Sequence, residues 1–125
     1  HEPEILQAIG TPFAEASSFM FVPHLIPVSR GIFVSAYVTL KAETDVATIR
    51  TRFEQAYQGS PLIRFRQAPP RLVDVVGTNF CDISFAVRGK QLLGKGMVGA
   101  AIQNMNLMFG LPEATGLLAP ALGPA

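Results

Sequence analysis

The sequence predicts an α+β domain, a mainly antiparallel sheet with helices packed on one face. Three observations carry this reading. Residues Ile32 to Lys41 alternate with period two, as a strand does. An amphipathic helical stripe follows them at once, from Thr44 or Asp45 to about Gln58. Short apolar runs between Leu62 and Val87 then recur at hairpin-like spacing, ahead of a second helical segment. Strands and helices grouped in this order suit a sheet covered on one side.

Taken in order, Glu2 to Ile9 reads as a short helix. Pro3 sits in its first turn, where a missing N–H costs nothing, and Glu2 and Glu4 suit the positive helix end. Gly10 is a natural stop. Phe19 to Val22 reads as a short apolar strand ended by Pro23, with a loop from Pro23 to Pro27. In the clearest strand, Ile32, Val34, Ala36, Val38 and Leu40 share one face. Phe33, Ser35, Tyr37, Thr39 and Lys41 share the other, which is mixed, as on a sheet with one side packed and the other wet or at an interface. The central helix is capped by Thr44 or Asp45 and stops at Gly59, and its stripe is Val46, Ile49, Phe53, Ala56 and Tyr57. Arg50, Arg52, Glu54 and Gln55 fall mostly outside that stripe. Leu62 to Arg66, Leu72 to Val76 and Asn79 to Val87 read as strands, with a break at Ala68-Pro69-Pro70 and a turn at Arg88-Gly89-Lys90. Gly96 to Phe109 reads as a nearly apolar, buried helix, and the tail after Gly110 as extended chain.

With 125 residues, the chain is expected to form a single domain, residues 1–125. Charged residues make up 15%, low against about a quarter in ordinary domains, which points to a surface partly covered by another chain or domain. A net charge of +1 supplies no field for nucleic acid or an anionic membrane. One cysteine allows no internal disulfide and favours a reducing, cytoplasmic setting. No leader sequence and no apolar run of membrane-spanning length is legible, and a start without Met reads as part of a longer protein.

Candidate chemistry is sparse. Gly94, Gly96 and Gly99 match neither the dinucleotide fingerprint nor the phosphate-loop spacing, and read as close backbone packing at a helix start. Cys81 lies on a strand face with Ile83, Phe85 and Val87 and reads as a small buried hydrophobe. His1 and His24 are far apart and lack a Cys or carboxylate cluster, so no metal site is expected. Arg64, Arg66 and Arg71 surround a strand without an aromatic platform and read as a solvated face or subunit contact. Arg30 stands at the loop entrance to the best strand, where a guanidinium can fork onto a carboxylate or phosphate; pattern alone favours a structural role. Met20, Met97, Met105 and Met108 read as core filling.

Four stretches in order resemble one family, the N-acetyl-gamma-glutamyl-phosphate reductases of arginine biosynthesis. They are His1-Glu2-Pro3-Glu4-Ile5, similar to the end of an H-x-H-x-P-E-I segment; Pro23 to Ile32, similar to P-H-L-x-P-x-x-R-G-I; Gly77 to Ile83; and Lys95-Gly96 with Ala101 to Glu113. The aminoadipyl reductases of carrier-protein lysine biosynthesis are similar too. A purely structural or binding module is the third reading. The resemblance implies the C-terminal, oligomer-forming domain of a two-domain oxidoreductase of the glyceraldehyde-phosphate dehydrogenase type, inactive alone. Its Rossmann half, which would bind NADP, and its nucleophilic Cys in a G-C-Y-P-like turn are not among these residues. The implied reaction reduces an acyl phosphate through a thioester with hydride from NADPH. His1 matches one histidine of a catalytic pair, and Arg30 matches a substrate-facing arginine; Cys81 does not match the nucleophile. No cofactor is expected on this chain itself, and a homodimer or homotetramer is. Between Arg88 and Lys95 the chain is several residues shorter than the family pattern, and Gly94 stands where a branched apolar residue is expected.

Overall fold

Strands β1 (Ile32–Thr39), β2 (Ile63–Phe65), β3 (Cys81–Arg88) and β4 (Gln91–Val98) form one sheet in the computed structural model, which describes residues 2–8, 10, 19–28, 30–98 and 118. The spatial order is β1-β4-β3-β2. β1 and β3 both run antiparallel to β4, whereas β2 runs parallel to β3. With helix α1 (Glu2–Ala8) and helix α2 (Val46–Ala56), this is the expected α+β class.

The register sorts the side chains into two faces. On one lie Ile32, Val34, Ala36 and Val38 of β1, Leu92, Gly94, Gly96 and Val98 of β4, and Cys81, Ile83, Phe85 and Val87 of β3. The other carries Phe33, Ser35, Tyr37 and Thr39, then Gln91, Leu93, Lys95 and Met97, then Asp82, Ser84, Ala86 and Arg88. α2 packs on the first face. Its Phe53 ring lies 4.6 Å from Phe85 and 6.4 Å from Phe65, with Tyr57 6.5 Å from Phe65. Ile49 on the same stripe is buried.

α2 begins where its cap dictates. Asp45 is extended, and its Oδ1 accepts the Thr48 N–H at 2.7 Å. The β3–β4 hairpin closes on Gly89-Lys90, and Gly89 has φ +58°, the left-handed conformation that a two-residue hairpin turn demands of its first residue. In α1, Leu6 is 2% exposed.

Four expectations are corrected. Phe19–Val22 is not a strand; the Phe21 N–H goes to Glu2 Oε1 at 3.1 Å instead of to a ladder. Leu72–Val76 is not a strand either. Residues Leu72–Asp74 form a 3₁₀ turn, with the Asp74 N–H on the Arg71 carbonyl and the Arg71 guanidinium clamped on the Asp74 carboxylate. Gly96, Met97 and Val98 are not the start of a helix but the end of β4, which needs them to match eight residues of both neighbours. Gly94, Lys95 and Gly96 thus lie within a central strand rather than at a helix start. The remainder of that expected helix, Ile9, His1 and the tail apart from Leu118 lie outside the described residues.

Two carboxylates, exposed Asp45 and half-buried Asp74, set an acid limit on stability. Hydrogen bonds from the Thr48 backbone and hydroxyl lower the Asp45 pKa, and the hydrogen-bonded Arg71 guanidinium lowers that of Asp74. A carboxyl whose folded pKa is depressed stabilises above its unfolded pKa, and that contribution is lost as pH falls through the folded value. The urea midpoint should therefore be level above about pH 5 and fall below about pH 4. Asp45→Asn keeps the cap but cannot titrate, so its midpoint should fall less steeply in acid.

Candidate functional site

One end of the sheet places Arg30 and Cys81, whereas His1 lies outside the described residues. Ile32, Val98 and Cys81 stand in register there, so the entrance of β1, the end of β4 and the start of β3 share that edge. Arg30 is exposed just ahead of β1. The residue between, Gly31, has φ +97°, and a Cβ on it would stand 2.8 Å from Leu72 Cδ1 and 3.5 Å from the Val98 carbonyl. Only glycine accommodates both the left-handed backbone and this approach of the 3₁₀ turn. Arg30 thus precedes a residue whose backbone is fixed against Leu72 and Val76.

The segment from Arg71 to Thr78 is tied down by a charge cluster. Asp82 is fully buried, and its Oδ1 accepts from Arg64 Nε at 2.5 Å, while Oδ2 has Arg66 Nε at 3.5 Å. Arg64 Nη2 also donates to the Asp74 carbonyl at 3.1 Å, and the Arg64 guanidinium lies 4.0 Å over the Phe80 ring. Arg71 adds a two-point contact with Asp74. Thr78, also buried, donates its hydroxyl to the Val75 carbonyl at 2.7 Å. The arginines read from sequence as a solvated face or subunit contact are therefore paired within the chain. Asp82 was not singled out, although Arg64 and Arg66 at i and i+2 on one strand face already call for a shared acid. Arg50, expected outside, reaches the end of β2, donating to the Phe65 and Arg66 carbonyls at 3.2 and 2.6 Å.

The remaining candidates are not drawn into a catalytic arrangement. Cys81 is half-buried, and burial, followed by the nearby Asp82 charge, raises its thiol pKa, the opposite of an activated nucleophile. His24 is exposed, with Nδ1 3.1 Å from the Val22 carbonyl two residues away. Among the described residues, no group of three His, Cys, Asp or Glu side chains could hold a metal, and no helix is long and apolar enough to cross a membrane.

The described residues do not fit a dinucleotide. Gly94 and Gly96 are paired with both neighbouring strands, so their backbone is committed to the sheet rather than free to cradle phosphate. The N-terminus of α2 is closed by the Asp45 carboxylate.

Comparison with known proteins follows the same line. Residues 1–104 match the family described as semialdehyde dehydrogenase, dimerisation domain. The chain is 42% identical to the N-acetyl-gamma-glutamyl-phosphate reductase of Symbiobacterium thermophilum, over 94% of this chain and 37% of that protein. It is 40% identical to the protein of that name from Methanosarcina barkeri, over 99% of this chain and 40% of the relative. Identity to the Lactococcus lactis protein of the same name is 42%, over 94% and 37% respectively. The chain thus spans about two fifths of the length of these relatives or slightly less. The alignment with the Methanosarcina barkeri protein runs over 134 positions against 125 residues here, which leaves at least 9 positions without a counterpart in this chain.

Proposed function

Because the chain belongs to the semialdehyde dehydrogenase dimerisation-domain family, we propose that it joins the subunits of an N-acetyl-gamma-glutamyl-phosphate reductase and presents part of the substrate site. The observation that carries this is 40% identity, over 99% of the chain, to a reductase of that name. The parent activity is the reduction of an acyl phosphate in arginine biosynthesis. A thiol attacks the acyl carbonyl and phosphate leaves; hydride from NADPH then reduces the thioester to an aldehyde and frees the thiolate. The reading assigns the thiol and the nucleotide site to the larger part of the enzyme, beyond these 125 residues. It gives Arg30 the task of binding an anionic group of the substrate and His1 that of moving a proton. Support for Arg30 comes from its exposure just ahead of β1 and from the fixed backbone of Gly31 beside it. The positions missing relative to the relatives are assigned to the segment before Lys95, where they would remove a cofactor contact. The setting is cytoplasmic.

Three measurements test this. In light scattering the chain should be a dimer or tetramer, and a clean monomer at high concentration would overturn the subunit-joining role. Incubated alone with NADPH and N-acetyl-gamma-glutamyl phosphate, it should oxidise no NADPH; turnover would show a complete enzyme instead. Arg30→Ala should leave assembly unchanged and weaken binding of N-acetylglutamate, followed by titration, about tenfold or more, the value of a hydrogen bond to a charged group.

A further inference from the structure

Stability alone does not account for Asp82. It is fully buried, with Arg64 on Oδ1 and Arg66 Nε at 3.5 Å from Oδ2. Taking such charges out of water costs much of what their pairing returns, and apolar side chains of similar volume often hold a fold as well. An apolar pair would not supply the second bond that Arg64 makes. Its Nη2 donates to the Asp74 carbonyl at 3.1 Å while its Nε stays on Asp82. The carboxylate thus fixes the guanidinium, and the guanidinium fixes the last residue of the 3₁₀ turn.

The turn is tied at other points too. The Leu72 carbonyl accepts from the Val75 and Val76 N–H groups at 3.1 and 2.9 Å. Buried Thr78 closes the segment, its hydroxyl donating to the Val75 carbonyl and accepting the Phe80 N–H at 3.1 Å. This frame sets Leu72 and Val76, and both stand against Gly31. A Cβ on Gly31 would lie 2.8 Å from Leu72 Cδ1 and 3.7 Å from Val76 Cγ2. The next residue, Ile32, enters the ladder opposite Val98. Gly31 is therefore held by the sheet through its neighbour and by the turn through Leu72.

We propose that Asp82, Arg64 and Leu72 are positioning residues for Arg30. The ion pair sets the turn, Leu72 sets the Gly31 backbone, and that backbone sets where the Arg30 guanidinium meets an anionic group of the substrate. This rests on the substrate role proposed above for Arg30 and adds the residues that make it effective. The gain is preorganisation. Binding an anion through a long side chain costs rotamer freedom, and a backbone fixed in advance spares the further cost of ordering it. A site whose support is loose loses its geometry even when its contact residue is present.

Titration with N-acetylglutamate tests this chain of contacts. Leu72→Ala should weaken binding about threefold to tenfold, because a support loses at most what the group it positions contributes. In an Arg30→Ala background the same substitution should change binding less than about twofold, since the group it positions is gone. Leu72→Met keeps the volume and should bind within about twofold of the parent chain. Asp82→Leu combined with Arg64→Met replaces the ion pair by apolar side chains. It should stay folded by circular dichroism and still weaken binding about as much as Leu72→Ala. Phe53→Leu loosens the core away from the turn and should leave binding unchanged. If Arg30→Ala weakens binding but Leu72→Ala does not, positioning is wrong while the role of Arg30 stands. Equal losses from Leu72→Ala in both backgrounds, or a like loss from Phe53→Leu, would show an effect that bypasses Arg30 and also overturn the positioning. A parent chain that does not bind, or that binds as well with Arg30→Ala, overturns both readings.

Discussion

Replacing Asp82 with alanine should lower the unfolding free energy by about 3 kcal/mol, at the lower end of the cost of breaking a buried ion pair. The carboxylate is fully buried between two guanidiniums, and its removal leaves Arg64 without its closest partner. Arg64 is 31% exposed and can recover some hydration, which keeps the loss from the upper end of the range. The same side chain holds the Asp74 carbonyl and covers Phe80, so the loss should spread to the 3₁₀ turn that packs on Gly31. Asp82→Asn keeps an acceptor of the same shape and should cost roughly half as much. Urea unfolding at fixed protein concentration, with the slope unchanged, measures both. A loss under about 1 kcal/mol for Asp82→Ala would mean that the cluster sits on the fold without holding it.

The cluster also shows where the sequence is legible. β1 is readable because its alternation is uninterrupted, and α2 because a capping aspartate precedes an apolar stripe at helical spacing. Asp82 is harder to read. It is one acid in a run that otherwise passes for an ordinary strand, and its meaning depends on arginines 16 and 18 residues earlier, brought beside it by parallel pairing. That ladder is closed at its ends by two long-range bonds, Cys81 N–H to the Leu62 carbonyl and Arg66 N–H to the Ile83 carbonyl. No local pattern announces them, and proximity in sequence favours the hairpin that was expected. β4 is obscured for another reason. Glycines at 94 and 96 weaken a strand locally, and they are held in one because β1 and β3 bond to the segment from both sides. The substrate-facing role proposed for Arg30 rests on family resemblance, since an arginine before a strand has many structural uses.

The aromatic contact between α2 and the sheet should show the other large effect. Phe53→Ala is expected to cost about 3 kcal/mol, as for other large aromatic truncations. Phe53 touches every other ring of the cluster, as Phe65 does, and lies 4.6 Å from Phe85, 6.3 Å from Tyr57 and 6.4 Å from Phe65. The described core is small, with Leu6, Ile49, Leu62, Val75 and Leu92 as its buried hydrophobic residues, so α2 depends heavily on these rings. Phe53→Leu restores most of the volume and should recover more than half of the loss. A double-mutant cycle with Phe85→Ala should return a coupling of about 1 kcal/mol, the range for direct aromatic pairs. Additive effects would mean that the two rings stabilise independently and that α2 is held chiefly by Ile49 and by the Arg50 bonds to the end of β2.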